Sequence, residues 1–309
     1  MNEHPYITYS DYLGRHFPGR RIQKITIDGG FTCPNRDGSK GHGGCSFCNP
    51  QAFAPAYCRE HSGIAAQIEA GKAFFAGKCR GGGAVGYLVY LQSFTSTYAP
   101  VSQLRRIYQE ALSAEGVVGL VIGTRPDCIS SEVLDLLVEL RHTYFIMVEL
   151  GIESCHDKTL LRVGRGHDYA CAERAVRLLA GRGIPVGAHI ILGLPGETLD
   201  EMLQMADLLS ALPLDVLKLH QLQIMQHTRM GQEWQQHPEA FRLFSAPEYA
   251  DLAAAFVRRC RPDIAFDRFV SESPSRLLLS PRWGLKPQQV QLMIEQRLVV
   301  SAGGRATTQ

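Results

Sequence analysis

CPNRDGSKGHGGCSFC, residues 33–48, sets Cys33, Cys45 and Cys48 in a C-x11-C-x2-C spacing and contains three of the nine cysteines of the chain. Pro34, Asn35, Asp37, Gly38, Gly41, Gly43 and Gly44 are turn formers, so the stretch reads as a loop that folds back on itself. The preceding run, residues 22–27 (IQKITI), alternates as a short strand does. Three thiols gathered at a strand end have three readings. They are unrelated buried thiols, or they bind structural zinc with His42 or Cys58 as a fourth ligand, or they hold an iron–sulfur cluster with one open iron. A closed zinc site uses four ligands, and the chain has no second C-x2-C pair. The cluster reading is therefore favoured. Phe47, between the last two cysteines, either packs within the loop or shields the sulfurs and flanks a ligand.

Working outward, strand-like runs fall at 22–27, 87–91, 117–122, 144–150, 186–192 and 216–224, with helical spacing at 64–75, 104–112, 130–140, 169–179 and 199–209. Crossovers of this length favour parallel strands joined right-handedly. Six such units are too few for a closed eight-stranded barrel. They fit an α/β fold, either a (β/α)6 partial TIM barrel or a doubly wound sheet, with the chemistry at the strand C-termini. The segments QSFTST, GTRPD, ELGIES and GLPGE all fall at those ends, as does the cysteine loop. After about Gly231 the rhythm changes to a helix at 247–259, a strand at 264–270 and a helix at 287–298. The expected division is a core over 1–230 and a short mixed C-terminal extension over 231–309 that covers the open sheet edge. The terminal GGRATTQ is expected to be disordered.

At 309 residues, with 45% hydrophobic residues and a mean hydropathy of −0.08, the composition is that of an ordinary soluble enzyme. No apolar run reaches spanning length and the first residues carry no export pattern. The expectation is a cytoplasmic protein whose cysteines serve metal or reactive chemistry, not disulfides. The net charge of +2 is unevenly spread, with 6 basic and 4 acidic side chains in residues 1–50 and 10 and 6 in residues 240–309. Basic ends read either as solvated surface or as a footprint for an anionic partner such as RNA. Arg258, Arg259, Arg261, Arg268 and Arg276 are candidates for holding an anionic substrate. His220, Gln221 and Gln223 are candidates for lining its pocket.

The cysteine loop with Phe47, the six βα units and GLPGE together resemble the radical S-adenosylmethionine (SAM) superfamily. The branch resembled is that of the elongator catalytic subunit and oxygen-independent coproporphyrinogen oxidase. CPNRDG, TSTYAP, GTRPD, VELGIES, GRGH and PRWG are similar, end to end, to bacterial YhcC-type proteins. The resemblance implies a 4Fe–4S cluster on Cys33, Cys45 and Cys48. SAM would bind its open iron and be cleaved reductively to a 5′-deoxyadenosyl radical that abstracts hydrogen from a substrate. It also implies a flavodoxin- or ferredoxin-type electron donor and suggests RNA as substrate class; neither a membrane nor DNA is an expected partner.

The loop departs from the common three-residue spacing after the first cysteine. Gln92 and Ser93 stand where relatives carry glycines that receive the SAM amine. Gly123 replaces a glutamate, leaving Thr124 as the candidate there. Glu153 and Arg165 sit where relatives contact SAM, or form a structural ion pair; Arg162 competes with Arg165. Glu149 is a carboxylate amid apolar neighbours and requires a partner. His189 is a lone polar side chain in an apolar strand, either a satisfied core residue or a cofactor contact. Gly193 marks a tight turn or a close approach. Two other classes stay open: a zinc-stabilised RNA-binding module, and a non-catalytic iron–sulfur protein.

Overall fold

The structure, a computed structural model, describes residues 4–52, 55–76 and 85–303. Cys79, the glycines at 81–83 and residues 304–309 of the tail lie outside the described residues. Ten strands follow one another along the chain. They are β1 (Ile7–Thr8), β2 (Arg21–Ile27), β3 (Val85–Leu91), β4 (Val117–Thr124), β5 (Phe145–Glu153), β6 (Val186–Leu192), β7 (Val216–Gln221), β8 (Ile224–Met225), β9 (Ala265–Arg268) and β10 (Leu278–Ser280).

Eight of these form one sheet in the order β1-β9-β7-β6-β5-β4-β3-β2, with every pairing parallel. From β2 to β7 each strand lies beside its predecessor. A doubly wound sheet reverses direction partway, and this one does not, so the fold is the partial barrel. β9 pairs with β7, so the C-terminal segment continues the sheet in parallel, and β1 is added outside it. β8 and β10 form a separate antiparallel ribbon.

Strand alternation produces two apolar layers. Ile25, Ile27, Val89, Leu91, Ile122, Val148, Leu150 and Ile190 face outward onto the helices in the main core. Leu88, Tyr90, Val121, Met147, Val216 and Ala265 face the lumen. There they meet Tyr9, Tyr12 and Leu13 from the helix Tyr9–His16, which plugs the bottom of the half-barrel. That helix starts at a capping box, with Thr8 and Asp11 satisfying each other's backbone donors. The same device opens the helices Leu199–Ser210, through Thr198 and Glu201, and Ala246–Arg259, through Ser245 and Glu248. Glu197, just before that Thr198 cap, accepts from the Ser154 hydroxyl at 2.5 Å.

Candidate active site

The loop after β2 is closed by its own backbone. Arg36 N donates to Cys33 O (2.8 Å), Lys40 N to Pro34 O (2.8 Å), Gly44 N to Asn35 O (2.8 Å) and Cys48 N to Cys45 O (3.0 Å). It is pinned from outside by Ser46 N to Val163 O (2.8 Å), Met230 N to Ser46 O (2.9 Å) and the Arg229 guanidinium to Gly44 O (2.7 Å). Gly44 has φ +87°, and a Cβ there would lie 2.9 Å from Arg36 Nε. The glycine thus permits both the turn and the approach of the guanidinium.

Three side chains aim N–H donors at the cysteine sulfurs. Asn35 Nδ2 lies 3.4 Å from Cys45 Sγ and donates to Gly164 O at 2.6 Å. An Arg165 terminal nitrogen lies 3.4 Å from the same sulfur. Arg36 reaches Cys48 Sγ at 3.6 Å and Cys48 O at 3.1 Å. Burial and the neighbouring thiols push the Cys48 thiol up to about 11, with Arg36 opposing. A nucleophilic cysteine has a lowered pKa, so this is not the environment of a reactive thiol.

Cys33, Cys45 and Cys48 line one cavity of about 140 Å³ together with Phe47, Gln92, Thr124, Glu149, Glu153, Arg165 and His189. Ser93 and Gly193 do not line it. Ser93 is buried with its hydroxyl unpartnered, while Gly193, at φ +100°, packs behind the wall against Phe244 and Leu222. The Thr124 hydroxyl pairs with that of Thr97 at 2.6 Å, and Thr97 also donates to Cys128 O.

β5 supplies both glutamates because Glu149, Gly151 and Glu153 share its lumen face. Glu149 lies at the centre of a buried charge cluster. Its Oε2 receives Lys218 Nζ and, at 2.9 Å, His189 Nε2, while Lys24 Nζ lies 3.7 Å from Oε1. Lys24 and Lys218 also reach Asp267, at 2.6 and 3.0 Å. Burial alone would raise the Glu149 carboxyl, but Lys218, Lys24 and His189 hold it well below the usual range. Burial pushes His189 down to about 4 against the pull of Glu149, so the imidazole is neutral at neutral pH. A carboxylate only accepts, so Nε2 carries the proton and Nδ1 is left as an acceptor.

Glu153, at φ +70°, is raised by burial, opposed by Arg165 at 3.7 Å. Arg125, buried, forks onto Asp127 at 2.9 and 3.0 Å and donates to Arg165 O at 2.7 Å. Burial would raise Asp127, but Arg125 and Lys40 hold it at about 2. Arg162 is not in the site; it pairs with Glu233 at the surface.

Asn35, Arg36, Arg125 and Lys218 were missed as site residues by sequence reasoning. Asn35 and Arg36 lie inside the quoted loop, and Lys218 is a charged residue in an apolar strand, the signal that singled out His189. Neither His42 nor Cys58 lines the cavity. Cys58 Sγ lies 3.4 Å from Thr26 O. Cys155 belongs to the outer core and not to the active face.

The sequence profile of the Radical SAM superfamily matches residues 38–209, and that of the radical SAM C-terminal domain matches residues 214–299. The chain belongs to the radical SAM superfamily. It is 41% identical to protein YhcC of Escherichia coli K12 over 268 residues, 86% of this chain and 83% of that protein. It is 34% identical to YtqA of Bacillus subtilis over 288 residues, 93% of this chain and 88% of that protein. Among solved structures, Elp3 of Methanocaldococcus infernus superposes with a TM-score of 0.65 at 16% identity. That match covers 92% of this chain and 63% of that one, a likeness of fold. As a superfamily member the chain is an enzyme of SAM-dependent radical chemistry. No helix among the described residues is long and apolar enough to cross a membrane.

Proposed function

We propose that this radical SAM enzyme carries a 4Fe–4S cluster on Cys33, Cys45 and Cys48, and binds SAM in the cavity those cysteines line. The observation that carries the reading is the convergence of all three cysteines on one cavity with Phe47, Gln92, Thr124, Glu149, Glu153, Arg165 and His189. The donor set fits the group. There are three sulfurs without a fourth cysteine, N–H donors from Asn35, Arg165 and Arg36 aimed at them, and a polar-lined space beside them. Neither His42 nor Cys58, the side chains that would complete a closed zinc site, lines that cavity.

When bound, the reduced cluster supplies the electron that cleaves SAM to methionine and a hydrogen-abstracting 5′-deoxyadenosyl radical. The chain's own part is binding, orientation and exclusion. Arg165 spans Cys45 and Glu153 and fixes one side of the cavity. His189 Nδ1 offers an acceptor for the SAM ammonium or a ribose hydroxyl, and Glu153 offers a second. Phe47 lines the cavity with the cysteines. A flavodoxin- or ferredoxin-type protein would deliver the electron, and the elongator-like motifs favour RNA as substrate.

Anaerobic reconstitution should load about four irons per chain and yield 5′-deoxyadenosine on reduction with SAM present. Cys45→Ala should abolish both. Stoichiometric zinc in anaerobically purified protein, with no SAM cleavage, would overturn the proposal. A loaded cluster that binds SAM no better than related nucleotides would instead mark a non-catalytic iron–sulfur protein.

A further inference from the structure

A second cavity, of about 250 Å³, opens beside the first and shares Phe47, Gln92, Glu153 and His189 with it. Its far wall is the end of β7 and the segment that follows β9. Side chains tie these together: Gln221 and Gln223 donate to Ser271 O at 3.1 and 3.2 Å, Ser273 Oγ donates to Gln223 Oε1 at 2.7 Å, and His220 Nδ1 meets Ser271 Oγ. The wall is therefore built and not a loose loop.

Of the five candidate arginines named from the sequence, one faces this cavity. Arg258 donates to Arg297 O, Arg259 lies 3.7 Å from Asp207, and Arg261 caps the carbonyls of Ser210, Leu212 and Leu214. Arg276 is exposed. Arg268 lines the cavity, its Nε is buried without a hydrogen-bond partner, and no carboxylate among the described residues pairs with it. The other lumen charges are already matched, Lys24 and Lys218 against Glu149 and Asp267. Glu153 is committed to Arg165, and Glu272 sits exposed at the rim with no ion pair among the described residues. Arg268 is thus a half-buried cation, its Nε fully buried, that no carboxylate among the described residues matches, an arrangement an anion would complete. His220 Nε2, beside it, is also buried and unpartnered. In the tautomer in which the Ser271 hydroxyl donates to Nδ1, Nε2 carries the proton and points a second donor the same way.

The geometry points to this cavity as the substrate pocket, with Arg268 and His220 binding an anionic oxygen group, a phosphate or a carboxylate, of the substrate. The guanidinium fork suits either group. That the occupant is a substrate rests on the SAM reading of the adjoining cavity; that it is an anion rests on Arg268 alone.

Thermal unfolding of the reconstituted full chain tests this, in rising inorganic phosphate or acetate with ionic strength held constant by sodium chloride. The midpoint should rise saturably with one of the two anions, by about 2–4 °C at tenfold its Kd. Phosphate alone acting assigns a phosphate ester, and acetate alone a carboxylate. Arg268→Gln should abolish the rise and unfold no earlier than the parent without added anion, because it removes an unmatched, half-buried charge. Arg276→Gln should keep the rise. The assignment is overturned if neither anion acts, if Arg268→Gln keeps the response, or if that variant unfolds markedly earlier without anion. The titration needs no SAM cleavage. A protein that shows it but forms no 5′-deoxyadenosine keeps the anion site and loses the radical SAM reading of its neighbour.

Discussion

At the scale of single residues the site depends on how closely Arg165 is allowed to approach. Its guanidinium lies against Cys45 Sγ, Gly151 O and Glu153, and a Cβ on Gly151 would fall 2.6 Å from its terminal nitrogen and 2.7 Å from Glu153 Oε1. A flexible side chain elsewhere would swing aside; this one is buried and held at three points. Gly151→Ala should therefore displace Arg165, with an overpacking penalty of about 1–3 kcal/mol and faster loss of iron to a chelator. Urea unfolding and chelator-release kinetics check both. Unchanged stability together with unchanged iron release would mean that Arg165 is not fixed by this contact. Sequence alone found Arg165 as a candidate but not its reach to Cys45, because residues 120 apart meet only through tertiary packing. Glu149 and His189 were legible through alternation: a polar side chain in an apolar strand needs a partner, and here each partners the other.

At the scale of elements, the long strands and helices were read to within a few residues, because their periodicity spans several turns or pleats. The short ones were not. β1 has two residues, too few to show alternation, and the helix Tyr9–His16 was missed although its Thr8-x-x-Asp11 box is an N-terminal signal. The strand after residue 264 was expected, but its parallel pairing with β7 is a tertiary outcome no local pattern carries. The missed helix matters, since Tyr9, Tyr12 and Leu13 fill the lumen floor below the charge cluster. Leu13→Ala removes buried atoms from the lumen floor and should destabilise by about 2–4 kcal/mol. The lumen above the floor should lose rigidity with it, seen as faster amide exchange along β3 and β5. A midpoint in urea within error of the parent would show the helix to be an ornament on the barrel.

At the scale of the whole molecule, a half-barrel leaves its two edge strands unpaired with each other. Here a gap of about 570 Å³ separates β2 from β9 and β1, lined from both sides. Lys24 on β2 crosses it to Asp267 on β9 at 2.6 Å, and Lys218 and Glu149 complete the quartet. Electrostatics thus tie β2 to β9, strands that do not pair with each other in the sheet. The arrangement makes the fold sensitive to acid, with a sign that follows from the shifts. His189 is depressed from an ordinary value near 6.5 to about 4, so between those limits the unfolded chain binds a proton that the folded chain refuses. Stability is then full above about pH 6.5 and falls as pH drops toward 4, by at most about 1.4 kcal/mol per pH unit for one such histidine. Asp267, raised by burial but held at about 2 by Lys218 and Lys24, adds its loss only below its unfolded value near 3.8. Urea unfolding at pH 7.5, 6.5, 5.5 and 4.5 should show the decline beginning near 6.5. His189→Gln, which retains a donor toward Glu149, should remove His189's share of that slope while leaving the shares of His167 and His220, which burial also depresses, and the later carboxylate-driven fall. A parent protein of constant stability down to pH 5, or a His189→Gln profile parallel to it, would mean that the histidine is not held neutral in the lumen.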